Sequence, residues 1–274
     1  MKMFRELIAK DVPEFVKEAQ SLTEEWFENE ATWGPWFRGH RKASWRLEPT
    51  LYRYGRPKRG IRILEDELRQ EFVVRAPSLS AELPQNSWEW YFSMRHSGAP
   101  TRLLDWTEGA LIALYFAVRD KMDDEDAAVW ALEPWKLNEF VAGKKEVIPP
   151  GADESFFGQR NFPDSERYNP WLPRRYEEPA SLKEELPVAV YPTHFARRIS
   201  SQRSCFTIHG SAVDGFERLP EAARRYVVKI VIPGPNVHQI DRTLSVCGID
   251  ELTIFPDLDG LGRYLTTILR DECS

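Results

Sequence analysis

The chain has 274 residues, 42% hydrophobic and 29% charged, a composition that suits a folded protein with a sizeable core and excludes a low-complexity chain. A formal net charge of -6 excludes a surface that is cationic throughout and leaves room for a basic site only locally. The three cysteines, Cys205, Cys247 and Cys273, form no CxxC pair, no HExxH is present, and the five histidines lack zinc spacing, which argues against a disulfide framework or a motif-type metal centre.

In chain order, the first residues lack the apolar run of a signal peptide. Phe15, Val16, Ala19, Leu22 and Trp26 recur every three or four positions and predict an amphipathic helix over 12–28, with Pro13 in its first turn. Trp36–Gly39 is a strand candidate. Arg38, His40, Arg41, Lys42 and Arg46 follow closely, then Arg53, Arg56, Lys58, Arg59 and Arg62, so the basic residues concentrate here. Pro49, Gly55, Pro57 and Gly60 break residues 43–60 into turns. Helices are expected over about 61–76 and 84–95. Residues 108–119 read as a buried helix, apolar on most sides.

An acidic turn, Asp123 to Asp126, precedes a buried strand at Ala127–Leu132. Residues 143–187 carry prolines and charges without periodicity and are expected to form an irregular insertion or lid. Strands are expected at Val188–Tyr191, Ser204–Ile208, Tyr226–Ile232 and Leu252–Phe255. A helix fills Asn236–Val246, and another, capped by Asp257 or Asp259, runs to about Arg270. Helices dominate the first half and strands the second, which predicts an α+β fold. No run of eighteen apolar residues occurs, so no transmembrane helix is expected and the cytoplasm is the expected location.

Four motifs stand out. They are WFRGH at Trp36–His40, then Arg95-His96-Ser97-Gly98-Ala99-Pro100-Thr101-Arg102-Leu103-Leu104-Asp105-Trp106-Thr107, then Arg198–Ile208, and Gly248–Leu261 with its Phe255-Pro256-Asp257 centre. In this order they resemble the FRG domain family, over about Trp33 to Ile268, which implies a single domain across 1–274. Arg95 stands where the family often carries Gln, and the middle segment is longer than the family pattern requires.

A looser resemblance links the chain to ADP-ribosyltransferases, whose antiparallel β core the helix-rich first half would then pack against. Arg38 would match the early Arg, Ser204–Thr207 the middle strand and Glu251 the late Glu. That resemblance implies NAD as substrate. Glu251 would stabilise an oxocarbenium-like ribose, and Arg38 would hold the pyrophosphate. Gly39 would admit the ligand closely, His40 would contact ribose or phosphate, Phe206 would pack on nicotinamide and Thr207 would orient Glu251. His96, Thr101, Arg102 and Gln202 complete the expected pocket. No metal is expected. A nucleic acid or protein would be the acceptor, the biological setting would be a toxin or anti-phage effector, and a neutralising antitoxin would be a partner.

Other readings of the same residues remain open. Arg38 would equally serve as a structural arginine paired with Asp105. Glu251 would equally cap or face solvent, with Asp250 its rival on a strand. Residues 101–107 would be an architectural turn, with Asp105 or Thr107 capping the next helix. Trp88, Trp90, Tyr115 and Phe116 fit a core better than a stacking platform. A domain that binds a nucleotide or RNA without chemistry explains the basic, Trp-containing stretch, and a metal nuclease built on His96 and Asp105 is a third class.

Overall fold

The computed structural model describes residues 3–27, 34–55, 60–80, 83–120, 124–147, 171–172, 185–192 and 202–273. Most of the expected lid, together with Arg56, Lys58, Arg59 and Arg198 to Ser201, lies outside the described residues.

The fold is α+β. Among the described residues, seven strands form one mixed, mostly antiparallel sheet: β1 (Arg5–Ile8), β2 (Trp36–His40), β3 (Leu103–Thr107), β4 (Ala127–Leu132), β5 (Val188–Val190), β6 (Ser204–Ile208) and β7 (Val227–Ile232), in the order β1-β7-β4-β2-β3-β6-β5. Among the described strands only β1 and β7 pair in parallel. Ten α-helices accompany it: α1 (Val12–Phe27), α2 (Thr50–Arg53), α3 (Ile61–Arg75), α4 (Ser87–His96), α5 (Ala110–Val118), α6 (Pro134–Ala142), α7 (Glu221–Arg224), α8 (Val237–Val246), α9 (Glu251–Ile254) and α10 (Leu258–Cys273). No described helix is long and apolar enough to cross a membrane.

Local chemistry explains the elements. Asp11 starts α1 by accepting from the Glu14 N–H at 2.8 Å, and the helix buries Val12, Phe15, Ala19 and Leu22 while Val16 stays exposed. With α5 and α8, α1 packs on Phe37, Val129, Ala131, Val228 and Ile230. Trp36, Trp106, Trp130, Leu132 and Phe216 form a second cluster. Helix α4 covers Leu103, Val188, Val190, Phe206 and Ile208 in a third.

Four expectations are corrected. Leu103–Thr107 is a central strand rather than a turn; it is buried on both faces and so shows no alternation. Leu252–Phe255 is not a strand, because the side chain of Asp250 accepts from the Thr253 N–H and Thr253 caps it in return, which winds Glu251–Ile254 into a helical turn. Asp250 and Glu251 are therefore a cap and the first residue of a helix, not opposite faces of a strand. Strands also interleave with helices along the whole chain, and β1, α2 and α6 add elements that periodicity did not reveal.

Candidate functional site

The site lies where the sheet is weakest. Strands β2 and β4 share five register pairs and β3 and β6 share five, but β2 and β3 share one, Phe37 with Thr107. Beyond that pair the two strands separate. A cleft of about 480 Å³ opens there, lined by Arg38, Arg41, Trp45, Arg95, His96, Asp105, Phe116, Arg119, Gln202, Ser204, Phe206 and Phe255 among others.

Alternation along β2 sends Phe37 and Gly39 toward α5, and Trp36, Arg38 and His40 to the other side. Arg38 reaches across the gap. Its Nη1 donates to the Asp105 carbonyl oxygen at 2.7 Å and lies 3.5 Å from Asp105 Oδ2, and its Nε donates to His40 Nε2 at 3.0 Å. The guanidinium thus serves a main-chain acceptor that a continuous ladder would have paired. Burial, with Arg53 and Arg95 nearby, lowers Arg38 to about 10 against the pull of Asp105. Burial and the Arg38 charge hold His40 well below its ordinary value, so its imidazole is neutral and accepts from Arg38.

Asp105 is the acidic centre of the cleft. Asn86 caps α4, and the last turn of that helix carries Arg95, whose Nε donates to both Asp105 oxygens at 2.9 and 3.0 Å and whose Nη2 adds a contact at 2.5 Å. Burial alone would raise the Asp105 carboxyl. Arg95 and Arg38 outweigh it and hold the group at about 2.

The far wall is aromatic and cationic. Arg119, just beyond α5, lies over Phe255 at 4.9 Å and over Tyr115 and Phe116 at 5.6 and 5.9 Å. Arg263 covers Phe255 at 4.7 Å. Behind this shelf Glu251 accepts from Tyr115 Oη and Arg263 Nε and lies 3.4 Å from Arg119 Nη1. Glu251 does not line the cleft; its ion-pair partner Arg119 does.

The sequence matches the FRG domain family over residues 34–126. The chain carries an FRG domain. No curated protein and no solved structure matches it. The matched stretch is narrower than the four motifs suggested: it holds WFRGH and the Arg95–Thr107 motif, and it supplies β2, β3 and α2 to α5. Residues outside it, Gln202, Ser204, Phe206 and Phe255, complete the cleft around the FRG domain's arginines.

Of the residues the sequence singled out, the cleft gathers Arg38, Gly39, His96, Gln202 and Phe206. Gly39 owes its lack of a side chain to α5: a Cβ would stand 2.1 Å from the Ala113 carbonyl oxygen and 2.6 Å from the Ala117 nitrogen. Phe206 stacks on Phe92 at 5.3 Å. Gln202 reaches the Ile254 carbonyl at 3.4 Å. His96 is exposed at the end of α4.

Thr101, Arg102 and Thr207 are buried elsewhere. Arg102 donates to Glu65 at 2.8 and 3.0 Å and to the carbonyls of His209 and Trp171 at 2.7 and 2.6 Å, so it welds α3 to the sheet. Thr207 Oγ1 accepts from Trp106 Nε1 at 3.0 Å and does not orient Glu251. Thr107 Oγ1 accepts from the Gly109 N–H at the approach to α5. Trp88 and Tyr115 are core residues, whereas Phe116 lines the cleft.

Sequence reasoning gave Arg119 no role, read Phe116 as core, and met Trp45 only in the basic stretch and Phe255 only in the fourth motif; all four line the cleft. Arg119 ends an otherwise apolar helical run, and a charge at such a terminus was the available signal. Among the described residues no group of three or more His, Cys, Asp and Glu side chains is placed to hold a metal ion.

Proposed function

We propose that the FRG-domain cleft binds a nucleotide, a ligand with both a flat ring and phosphate groups. The observation that carries this is the lining: Arg38, Arg41, Arg95 and Arg119 line the cleft with one carboxylate, Asp105, amid Trp45, Phe116, Phe206 and Phe255. Guanidinium groups suit phosphate oxygens, and aromatic faces suit a base. The volume, about 480 Å³, lies in the range of small-molecule sites. Arg41 is exposed at the mouth, where it would meet a phosphate without breaking an internal contact.

Calorimetric titration with AMP, ADP and NAD tests the reading. Binding should weaken as salt rises, and Arg41→Ala should weaken ADP about tenfold with the fold intact. Absence of binding by all three at millimolar concentration would overturn it.

A second reading makes NAD a substrate for ADP-ribose transfer, on an ADP-ribosyltransferase-like core and to a nucleic acid or protein. One contact favours it: Glu251 is one ion pair away from the cleft, through Arg119. A ligand phosphate that took Arg119 would remove one of the three partners of that carboxylate, leaving Tyr115 and Arg263 to hold it toward a developing positive ribose. Glu251→Gln should then stop nicotinamide release while NAD still binds. Undiminished release in that variant would refute the assignment.

A further inference from the structure

The other unexplained surface is α10. Leu258, Leu261, Leu265 and Ile268 follow one another at spacings of three, four and three, and all are exposed, at 85%, 37%, 56% and 46%. Leu269 beside them is 64% exposed. This is the a/d pattern of a helix that pairs with another helix, set on the outside of the molecule. Single exposed apolar residues are ordinary, but five on one helical stripe form a continuous patch.

We infer that α10 is the dimer interface of this protein, pairing antiparallel with α10 of a second copy. Three features commit the stripe to that occupant. The first is self-complementarity: a twofold axis beside residue 263 sets Leu258 against the partner copy's Ile268 position and Leu261 against its Leu265 position, so the four residues of the a/d series pair with one another and Leu269 flanks them. The second is area. The five exposures amount to roughly 500 Å² per copy, so complete burial of both stripes would remove about 1,000 Å² from water, the lower bound of a specific interface.

The third is charge. An interfacial helix that lies on an anionic membrane needs a cationic polar face. Here Asp259, Arg263, Arg270, Asp271 and Glu272 give three acidic residues against two basic, on a chain of net charge -6. By sequence the helix therefore lacks the cationic excess that recruits a helix to an anionic lipid surface. The anchoring of α10 also leaves the stripe free: Gly260 sits against Phe255, where a Cβ would meet its carbonyl oxygen at 1.9 Å, and Arg263 binds Glu251.

Sedimentation velocity of the full chain from 1 to 100 µM tests the inference. A monomer–dimer equilibrium in this range is expected, with Leu265→Glu weakening association at least a hundredfold and leaving near-ultraviolet circular dichroism unchanged. Leu261→Ser is the milder second variant, expected to weaken association about tenfold. A monomer at 100 µM, a dimer indifferent to both substitutions, or a monomer that floats with phosphatidylserine vesicles would each overturn it.

Discussion

Replacing Asp105 by Asn probes the centre of the cleft most directly. The carboxylate takes three contacts from Arg95 and one from Arg38, and it is held at about 2 against an ordinary 3.8. Full linkage of such a shift is worth about 2.5 kcal/mol at neutral pH. The side chain is 38% exposed, so solvent screening reduces the net loss to roughly 1 kcal/mol. The sign follows from a depressed carboxyl: the stabilisation is complete above the unfolded value near 4 and disappears as pH falls through about 2. Urea unfolding at pH 7 should therefore show the variant less stable by about 1 kcal/mol, and at pH 3 the gap should narrow to about half. ADP should bind the variant more tightly at low salt, because two guanidinium groups lose their internal counter-ion. An equal gap at both pH values, or none at pH 7, would refute the reasoning.

Gly39→Ala should cost at least about 3 kcal/mol, read as a lowered melting temperature or loss of soluble protein, because the atoms in the way are α5 backbone that cannot rotate aside. A melting temperature within two or three degrees of the parent, on the order of 1 kcal/mol, would contradict it. Glu133 caps α6 from a fully buried position, and burial raises its carboxyl to about 7 despite the Lys136 N–H it accepts. Its contribution is thus present below the ordinary glutamate value and lost as pH rises through about 7. Between pH 5 and pH 8 the parent should lose up to about 3 kcal/mol that Glu133→Gln does not lose, measured by melting at both pH values.

Most of the helices were legible because amphipathic spacing and caps are local signals. Pro13 and the Phe15, Ala19, Leu22 series place α1 almost to the residue. The central strand β3 was not legible. Its burial on both faces removes alternation, and Asp105 in its middle reads as a turn residue until Arg95 and Arg38 are seen around it. Leu252–Phe255 misled in the opposite way, since its β-branched and aromatic residues mask a cap that one aspartate closes. In the cleft, Arg38 and His96 were found through their motifs. Arg119 and Phe255 belong to separate elements and meet only after folding. Arg102 was read as a binding residue because a motif shows which arginines are unusual, not which donors are already spent on Glu65 and two carbonyls.

The one-pair junction between β2 and β3 has a mechanical meaning. On one side stand β1, β7, β4 and β2; on the other stand β3, β6 and β5. The outer pairings are knitted by three to six register pairs each, so a twisting load concentrates at Phe37 and Thr107. A molecule that grips Arg38 on one slab and Phe206 on the other would act as a cross-tie at the softest line of the sheet. Occupancy would then stiffen the whole protein, and ligand affinity and resistance to unfolding would rise together.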